Sequence, residues 1–268
     1  MSGERFRLDG RVAVVTGAAG LLGREHCNAL AQAGAIVYAC DLSAKAAEHV
    51  AVGLGVGHVG VALDVTDEDS VGELRDRIIE EHGRVDVLVN NAALNDAVEN
   101  ALTTSPIGLE TYPTALFRKV LDVNVTGIFL MSRTLGSVMA RSGRGSIINI
   151  ASTYGVVAPD QSLYKTPDGD QVFIKSAAYP TSKGAVVQLT RYIATYWGSR
   201  GVRANCLSPG GVENSQDNHF VDAYSKRTPL QRMASRTDFA GAVVFLASDA
   251  SAYMTGANLI VDGGFTTW

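Results

Sequence analysis

The feature that most constrains this chain is a regular exchange between two hydrophobic periods. Short β-branched runs, beginning with Val12-Ala-Val-Val-Thr16 and Ile36-Val-Tyr-Ala-Cys40, alternate with longer stretches whose apolar residues recur every three to four positions, beginning with Leu21 to Ala33. The first pattern suits a strand and the second an amphipathic helix. Strands are expected at 12–16, 36–40 and about 58–63, 85–90, 145–151, 202–207 and 257–261, and helices at 21–33 and about 43–52, 67–82, 113–142, 177–200 and 236–247. Seven strands joined by crossover helices predict an α/β fold, a single Rossmann-type doubly wound seven-stranded parallel sheet flanked by helices. Such strands are covered on both faces, which accounts for the nearly continuous apolar runs Val85-Asp-Val-Leu-Val89 and Ser146-Ile-Ile-Asn-Ile150 without any functional reading.

One domain over residues 1–268 is expected, because α/β chains of ~250 residues commonly close around a single sheet and 46% hydrophobic residues can fill its core. Two stretches exceed the usual connection between elements: about 93–113, and 155–177, the latter carrying Pro159, Pro167 and Gly169. Loops of that length in a compact domain are usually binding elements or lids, so both are expected on the substrate side, with decorative surface insertion as the alternative.

Charge and residue usage exclude several classes of function. Lys and Arg number 23 against 27 Asp and Glu, a net charge of −4 with no basic run, so the clustered cations that nucleic-acid binding needs are missing. The charged N-terminus and the lack of any run of ~18 apolar residues argue against a membrane partner and for a cytoplasmic address. Cys27, Cys40 and Cys206 are too scattered for a disulfide framework and are expected as reduced, buried thiols. His26, His49, His58, His82 and His219 show no metal-ligand spacing, so no metal site is expected.

The first strand runs into Thr16-Gly-Ala-Ala-Gly-Leu-Leu-Gly23 and then a helix. Gly17, Gly20 and Gly23, with Leu22 beside them, therefore stand at a strand-to-helix turn where backbone amides and a helix N-terminus can face a pyrophosphate. Asp41 ends the second strand about 20 residues on, where a carboxylate can accept the adenosine ribose hydroxyls and repel a 2′-phosphate. Leu42 follows it instead of Arg, and Ala18 and Ala19 supply no cation, so NAD is expected over NADP. The alternative for Asp41 is a cap on the helix that begins near Ser43. Asp64 and Val65, ending the third strand, are weaker candidates to flank the adenine.

At the other end, Tyr179-Pro-Thr-Ser-Lys183 sets a phenol and an ammonium four residues apart, on one face of a helix. A phenol with a pKa near ~10 is a poor base at neutral pH, but a neighbouring ammonium favours the phenolate. Tyr179 can then exchange a proton with an alcohol or carbonyl. Ser152 ends the fifth strand at the carboxyl edge of the sheet, where its hydroxyl can hold the substrate oxygen. The alternatives are an exposed helical pair and a turn serine.

These residues resemble the classical short-chain dehydrogenase/reductase family over about 10–264. Further matches are Asn90-Asn-Ala-Ala93 after the fourth strand, Asn124 in Asp122-Val-Asn-Val-Thr-Gly127, Ser208-Pro-Gly-Gly-Val212 after the sixth, and the closing Val261-Asp-Gly-Gly264. The resemblance implies a catalytic tetrad of Asn124, Ser152, Tyr179 and Lys183. Tyr179 would be the acid/base and Ser152 would orient the substrate oxygen. Lys183 would bind the nicotinamide ribose and lower the Tyr179 pKa, while Asn124 would kink its helix and hold the water of a proton relay. It also implies Pro209, Gly210 and Val212 beside the nicotinamide, and Asn90, Ala92 and Val123 beside the adenosine half. The chain departs from the family pattern with Leu21 in place of the middle glycine of the loop, Ala93 in place of Gly, and Asn214 and Ser215 where a Thr usually reaches the carboxamide.

Ser152 and Tyr179 stand 27 positions apart, about twice the family interval, and the excess is the 155–177 loop. With the shifted glycines this is similar to a subgroup of flagellin-modification and sugar-modifying dehydrogenases, so the expected substrate is a sugar, polyol or related secondary alcohol. Gln161, Tyr164, Lys165, Asp168 and Lys175, with Asn95, Asp96 and Glu99, can supply hydroxyl or anion contacts. The competing readings are a 3-oxoacyl-type reductase of a hydrophobic ketone and a nucleotide-sensing protein of the same fold without turnover. The family also implies a homotetramer through helices 113–142 and 177–200 and the last strand. Ala115, Ile128, Ala185, Val186, Ile193 and Ala194 then face either a partner or the sheet.

Overall fold

A computed structural model of the chain describes residues 3–95, 108–171 and 173–268. Seven strands, β1 (Val12–Thr16), β2 (Ile36–Asp41), β3 (Val59–Ala62), β4 (Val87–Asn90), β5 (Gly145–Ile150), β6 (Val202–Pro209) and β7 (Asn258–Val261), form one sheet in the order β3-β2-β1-β4-β5-β6-β7. Every pairing is parallel. The order reverses between β1 and β4, and that switch point opens a crevice at the carboxyl ends of the strands.

Strand alternation splits the core into two layers. Ala13 and Val15 of β1 pack with Leu30 of α1 (Leu21–Gln32), Val50 of α2 (Ala44–Leu54) and Leu246 of α8 (Ala240–Ala247). Val12 and Val14 face the other way. They pack with Leu74 of α3 (Glu68–His82), Leu135 of α5 (Gly127–Ser142) and Trp197 of α6 (Ala178–Trp197). All five residues of β1 are buried, as a central parallel strand requires.

The stretch expected as one helix over 113–142 is two, α4 (Thr114–Leu121) and α5, joined by a π-turn at Asp122–Thr126. There the Gly127 N–H bonds back five residues to the Asp122 carbonyl. A further helix, α7 (Asn218–Arg227), occupies a span for which no helix was expected; its sequence is polar and only Tyr224 of it is buried. Ile128, Val186, Ile193 and Ala194 are buried in the chain's own core and so face the sheet; Ala115 is exposed and Ala185 half-buried. Cys27, Cys40 and Cys206 are buried free thiols. Burial pushes Cys27 up to about 12 and Cys206 to about 11, so neither holds thiolate at neutral pH.

Candidate active site

The carboxyl ends of the strands frame a cleft of about 970 Å³ that runs from the β1–α1 turn to the inserted loop. Gly17, Gly20, Leu22, Asp41, Leu42, Asp64, Val65, Ala92, Val123, Pro209, Gly210 and Val212 all line it, as do Ser152, Tyr179 and Lys183. Gly23, Asn90 and Asn124 do not line it, and each has a different place in the fold.

Gly17 holds a positive φ of 62°, and a Cβ there would lie 2.8 Å from the Ala92 Cα, so the floor of the cleft requires glycine. At Gly23 a Cβ would come within 2.1 Å of the Gly17 carbonyl oxygen. That residue lets α1 pack onto the turn and stands behind the cleft. Gly20 is the N-cap of α1 and brings no side chain to its amide end. Asp41 Oδ2 accepts the Ala19 N–H at 3.0 Å, tying the end of β2 to the glycine turn. The cap of α2 is Ser43, whose Oγ accepts the Ala46 N–H at 3.3 Å, so Asp41 is not the helix cap.

Asn90 is the one expected cofactor residue whose side chain turns away from the groove. It is buried, and its Nδ2 donates to Asn149 Oδ1 at 2.8 Å and to Ser132 Oγ at 3.2 Å, inside the layer of α5 and α6. The pleat accounts for this orientation, because the next residue points to the opposite side. Asn91 Nδ2 donates to the carbonyls of Thr16 and Gly17, both at 3.0 Å, and Thr16 Oγ1 accepts the N–H groups of Asn91 and Ala92, also at 3.0 Å. Thr16 and Asn91 thus lace the ends of β1 and β4 into one floor. The sequence analysis singled out neither; the doubled asparagine after a strand was the available signal.

At the reacting end, Ser152 is buried and its Oγ accepts the Tyr154 N–H at 3.1 Å, which leaves the hydroxyl its own proton to donate. Tyr179 lies in the first turn of α6 and Lys183 one turn on, with its ammonium 5.6 Å from the Tyr179 ring centroid. Lys183 is buried and donates to the Ile150 carbonyl at 2.7 Å, and desolvation pulls its pKa down to about 8. Asn124 sits within the π-turn, fully buried. Its Oδ1 accepts the Leu94 N–H at 2.7 Å, and its Nδ2 donates to the Leu94 carbonyl at 3.0 Å and to Ser182 Oγ at 2.9 Å. Ser182 in turn donates to the Tyr179 carbonyl at 2.7 Å. Asn124 therefore stands behind the cleft and reaches the Tyr179 backbone through Ser182, a residue the sequence analysis passed over.

The inserted loop forms the outer wall. Tyr154 and Tyr164 share a hydrogen bond between hydroxyls at 3.2 Å, Tyr164 stacks on Phe220 of α7 at 5.3 Å, and Asp160 pairs with Arg227 at the end of α7. Burial pushes the Tyr154 phenol upward, so it stays protonated and able to donate. Tyr164, Lys175 and Asn95 line the cleft, whereas Lys165 and Asp168 are exposed outside it and Asp96 and Glu99 lie outside the described residues. Beyond β6, Asn214 donates its N–H to Gln216 Oε1 at 2.6 Å, and Ser215 adopts a positive φ of 61° at the rim. Tyr224 closes this side, its hydroxyl accepting the Gly211 N–H at 2.6 Å.

An elongated cleft with a side-chain-free floor, an uncapped helix N-terminus and a carboxylate at the far strand end fits a dinucleotide. The opposite end brings the Tyr179 phenol together with the Ser152 hydroxyl and the Lys183 ammonium. Among the described residues, no three His, Cys, Asp or Glu side chains gather to hold a metal, and no helix is long and apolar enough to cross a membrane.

Comparison with known proteins agrees with this arrangement. A family profile described as enoyl-(acyl carrier protein) reductase matches residues 17–266. D-threitol dehydrogenase of Mycolicibacterium smegmatis is 39% identical over 97% of this chain and 95% of its own. Galactitol 2-dehydrogenase (L-tagatose-forming) of Cereibacter sphaeroides is 36% identical over 98% of each. Among solved structures, a gluconate 5-dehydrogenase from Burkholderia cenocepacia, in complex with NADP and tartrate, superposes with a TM-score of 0.87 at 30% identity over 100% of both chains. With the sheet order, the glycine turn and the Ser152, Tyr179 and Lys183 cluster in place, these matches establish that the chain belongs to the short-chain dehydrogenase/reductase family, whose members are nicotinamide-dependent oxidoreductases.

Proposed function

We propose that this protein is an NAD-preferring dehydrogenase that interconverts a secondary alcohol of a sugar, polyol or related compound and the corresponding ketone. The observation that carries the reading is the convergence of Ser152, Tyr179 and Lys183 on one end of a cleft whose other end is the Gly17 floor and Asp41. The named activities of the threitol and galactitol relatives support the polyol assignment. When bound, the nicotinamide cofactor supplies the hydride acceptor or donor. In the oxidative direction, Ser152 donates its O–H to the substrate oxygen and Tyr179 takes the alcohol proton. Lys183 holds the ribose and stabilises the phenolate. Its lowered affinity for a proton makes it a group that can pass one on at neutral pH. Asn124, through Ser182, fixes the backbone that carries Tyr179.

Asp41, with no cation at Leu42, Ala18 or Ala19, supports NAD over NADP. The hydroxyls of Tyr154 and Tyr164 and the ammonium of Lys175 favour a hydroxylated substrate over a hydrophobic ketone. A homotetramer built through α5, α6 and β7 fits the exposed side chains of Phe129, Tyr192, Tyr196 and Ile260. Three buried free thiols suit a reducing cytoplasm. The test is the appearance of reduced-nicotinamide absorbance when the protein and NAD meet a panel of alditols, sugar acids and simple secondary alcohols. Turnover of a polyhydroxylated member is expected. Binding of NAD with no turnover across the panel would sink the reading.

A further inference from the structure

The Tyr179 ring has a second ammonium beside it. Lys175, the last lysine of the inserted loop, is 7% exposed, lines the same cleft, and places its Nζ 4.6 Å from the Tyr179 ring centroid, closer than Lys183 at 5.6 Å. The two cations enter from different parts of the fold. Lys183 is anchored to the Ile150 carbonyl at the end of β5, whereas Lys175 donates to Asn95 Oδ1 beyond the end of β4. Lys175 also differs from an ordinary surface lysine in being held at its backbone. Gln161 accepts the Lys175 N–H at 2.9 Å and donates its own amide to the Lys175 carbonyl at 3.0 Å. That two-point clamp fixes the backbone from which the side chain springs, and the contact with Asn95 orients the ammonium, so less freedom is lost when it makes a further contact.

We propose that Lys175 is a specificity-determining residue that binds an electron-rich oxygen on the carbon next to the reacting carbinol. The position beside Tyr179 carries this: Lys175 lines the same cleft as Ser152 and Tyr179 with its ammonium against the Tyr179 ring, so a substrate whose oxygen meets Tyr179 and Ser152 must extend past a cation on the loop side. Two chemical sources share that description, the adjacent hydroxyl of a polyol and the carboxylate of a sugar acid. An ammonium donates to either, and does so more strongly to a carboxylate. The proposal rests on the dehydrogenase reading above and adds to it the feature of the substrate that is recognised. It also gives the long 155–177 loop a task, since both Lys175 and its clamp Gln161 belong to it.

The test uses the full-length protein with NAD and three matched alcohols: butan-2-ol, butane-2,3-diol and 2-hydroxybutanoate, with galactitol and gluconate as longer counterparts. The wild type is expected to prefer the compounds with a neighbouring oxygen by about 10- to 100-fold in kcat/KM, the range of one charge-assisted hydrogen bond. Lys175→Met should erase that preference mainly through KM, any loss from removing the charge beside Tyr179 falling on butan-2-ol and the other alcohols alike, and Lys175→Arg should restore much of the preference. A larger loss for 2-hydroxybutanoate identifies the carboxylate as the recognised group; a larger loss for butane-2,3-diol and galactitol identifies the hydroxyl. Equal handling of all alcohols by the wild type overturns the proposal alone. So does a Lys175→Met variant that melts at the wild-type temperature yet loses all substrates in equal proportion, because the ammonium then serves Tyr179 and not the substrate. No turnover of any alcohol by the wild type overturns the dehydrogenase reading and this proposal together.

Discussion

One oxygen of the Asp41 carboxylate is already tied to the Ala19 N–H, so the side chain is oriented before any ribose approaches. Removing it deletes both the acceptor for the ribose hydroxyls and the negative charge that opposes a 2′-phosphate. Asp41→Ala is expected to shrink the ratio of kcat/KM for NAD over NADP by at least tenfold; an unchanged ratio would remove Asp41 from that role. His26 on α1 shows a second effect at the same scale. It is fully buried, neither ring nitrogen has a hydrogen-bond partner among the described residues, and desolvation lowers its pKa from 6.5 to about 4. The unfolded chain therefore binds a proton below pH 6.5 that the folded chain refuses until about pH 4. The contribution to stability is complete above pH 6.5 and is lost as the pH falls toward 4, by about 3 kcal/mol in all. His26→Leu should flatten that part of the denaturation profile while leaving pH 7.5 stability near wild type. Parallel profiles for the two proteins would contradict the assignment.

At the scale of elements, the π-turn between α4 and α5 is a place where the backbone serves the site. Its extra residue brings Asn124 inward to hold both backbone groups of Leu94 and the hydroxyl of Ser182. Asn124→Ala removes the partner of the half-buried Leu94 backbone groups and of one lone pair of the buried Ser182 hydroxyl, at about 1–3 kcal/mol for each group left unsatisfied. A drop of at least 2 kcal/mol in urea denaturation, together with a lower kcat, is expected. Full stability would mean that water replaces the amide without loss. The strands, the glycine turn and the Tyr179-Lys183 spacing were legible in the sequence because each rests on a local period or a fixed offset. The π-turn was visible only as the resemblance around Asn124, since helical periodicity carries no mark of one inserted residue. The side to which Asn90 points depends on the pleat at the very end of β4, where one residue changes the face. Helix α7 and the cluster of Tyr154, Tyr164, Phe220 and Tyr224 depend on contacts between distant segments, and the inserted loop gave no periodic signal at all.

For the whole molecule, the helices on one side of the sheet carry aromatic residues that the core does not use. Phe129 of α5 is 45% exposed, and Tyr192 and Tyr196 of α6 are 62% and 58% exposed, stacked on each other at 5.9 Å. The apolar residues first considered for a partner, Ile128, Val186, Ile193 and Ala194, are instead occupied by the chain's own core. If α5 and α6 pair with their copies in a homotetramer, Phe129→Glu combined with Tyr192→Glu should give a smaller species by light scattering. A wild type that scatters as a monomer would rule out the assembly. The account's central claim, however, is chemical. The most direct test compares wild type and Tyr179→Phe for NAD binding by calorimetry and for polyol-dependent NAD reduction in the same preparations. The account predicts similar binding and a loss of turnover of at least about a hundredfold, the least expected on removing a general acid/base. Undiminished turnover by Tyr179→Phe would contradict it.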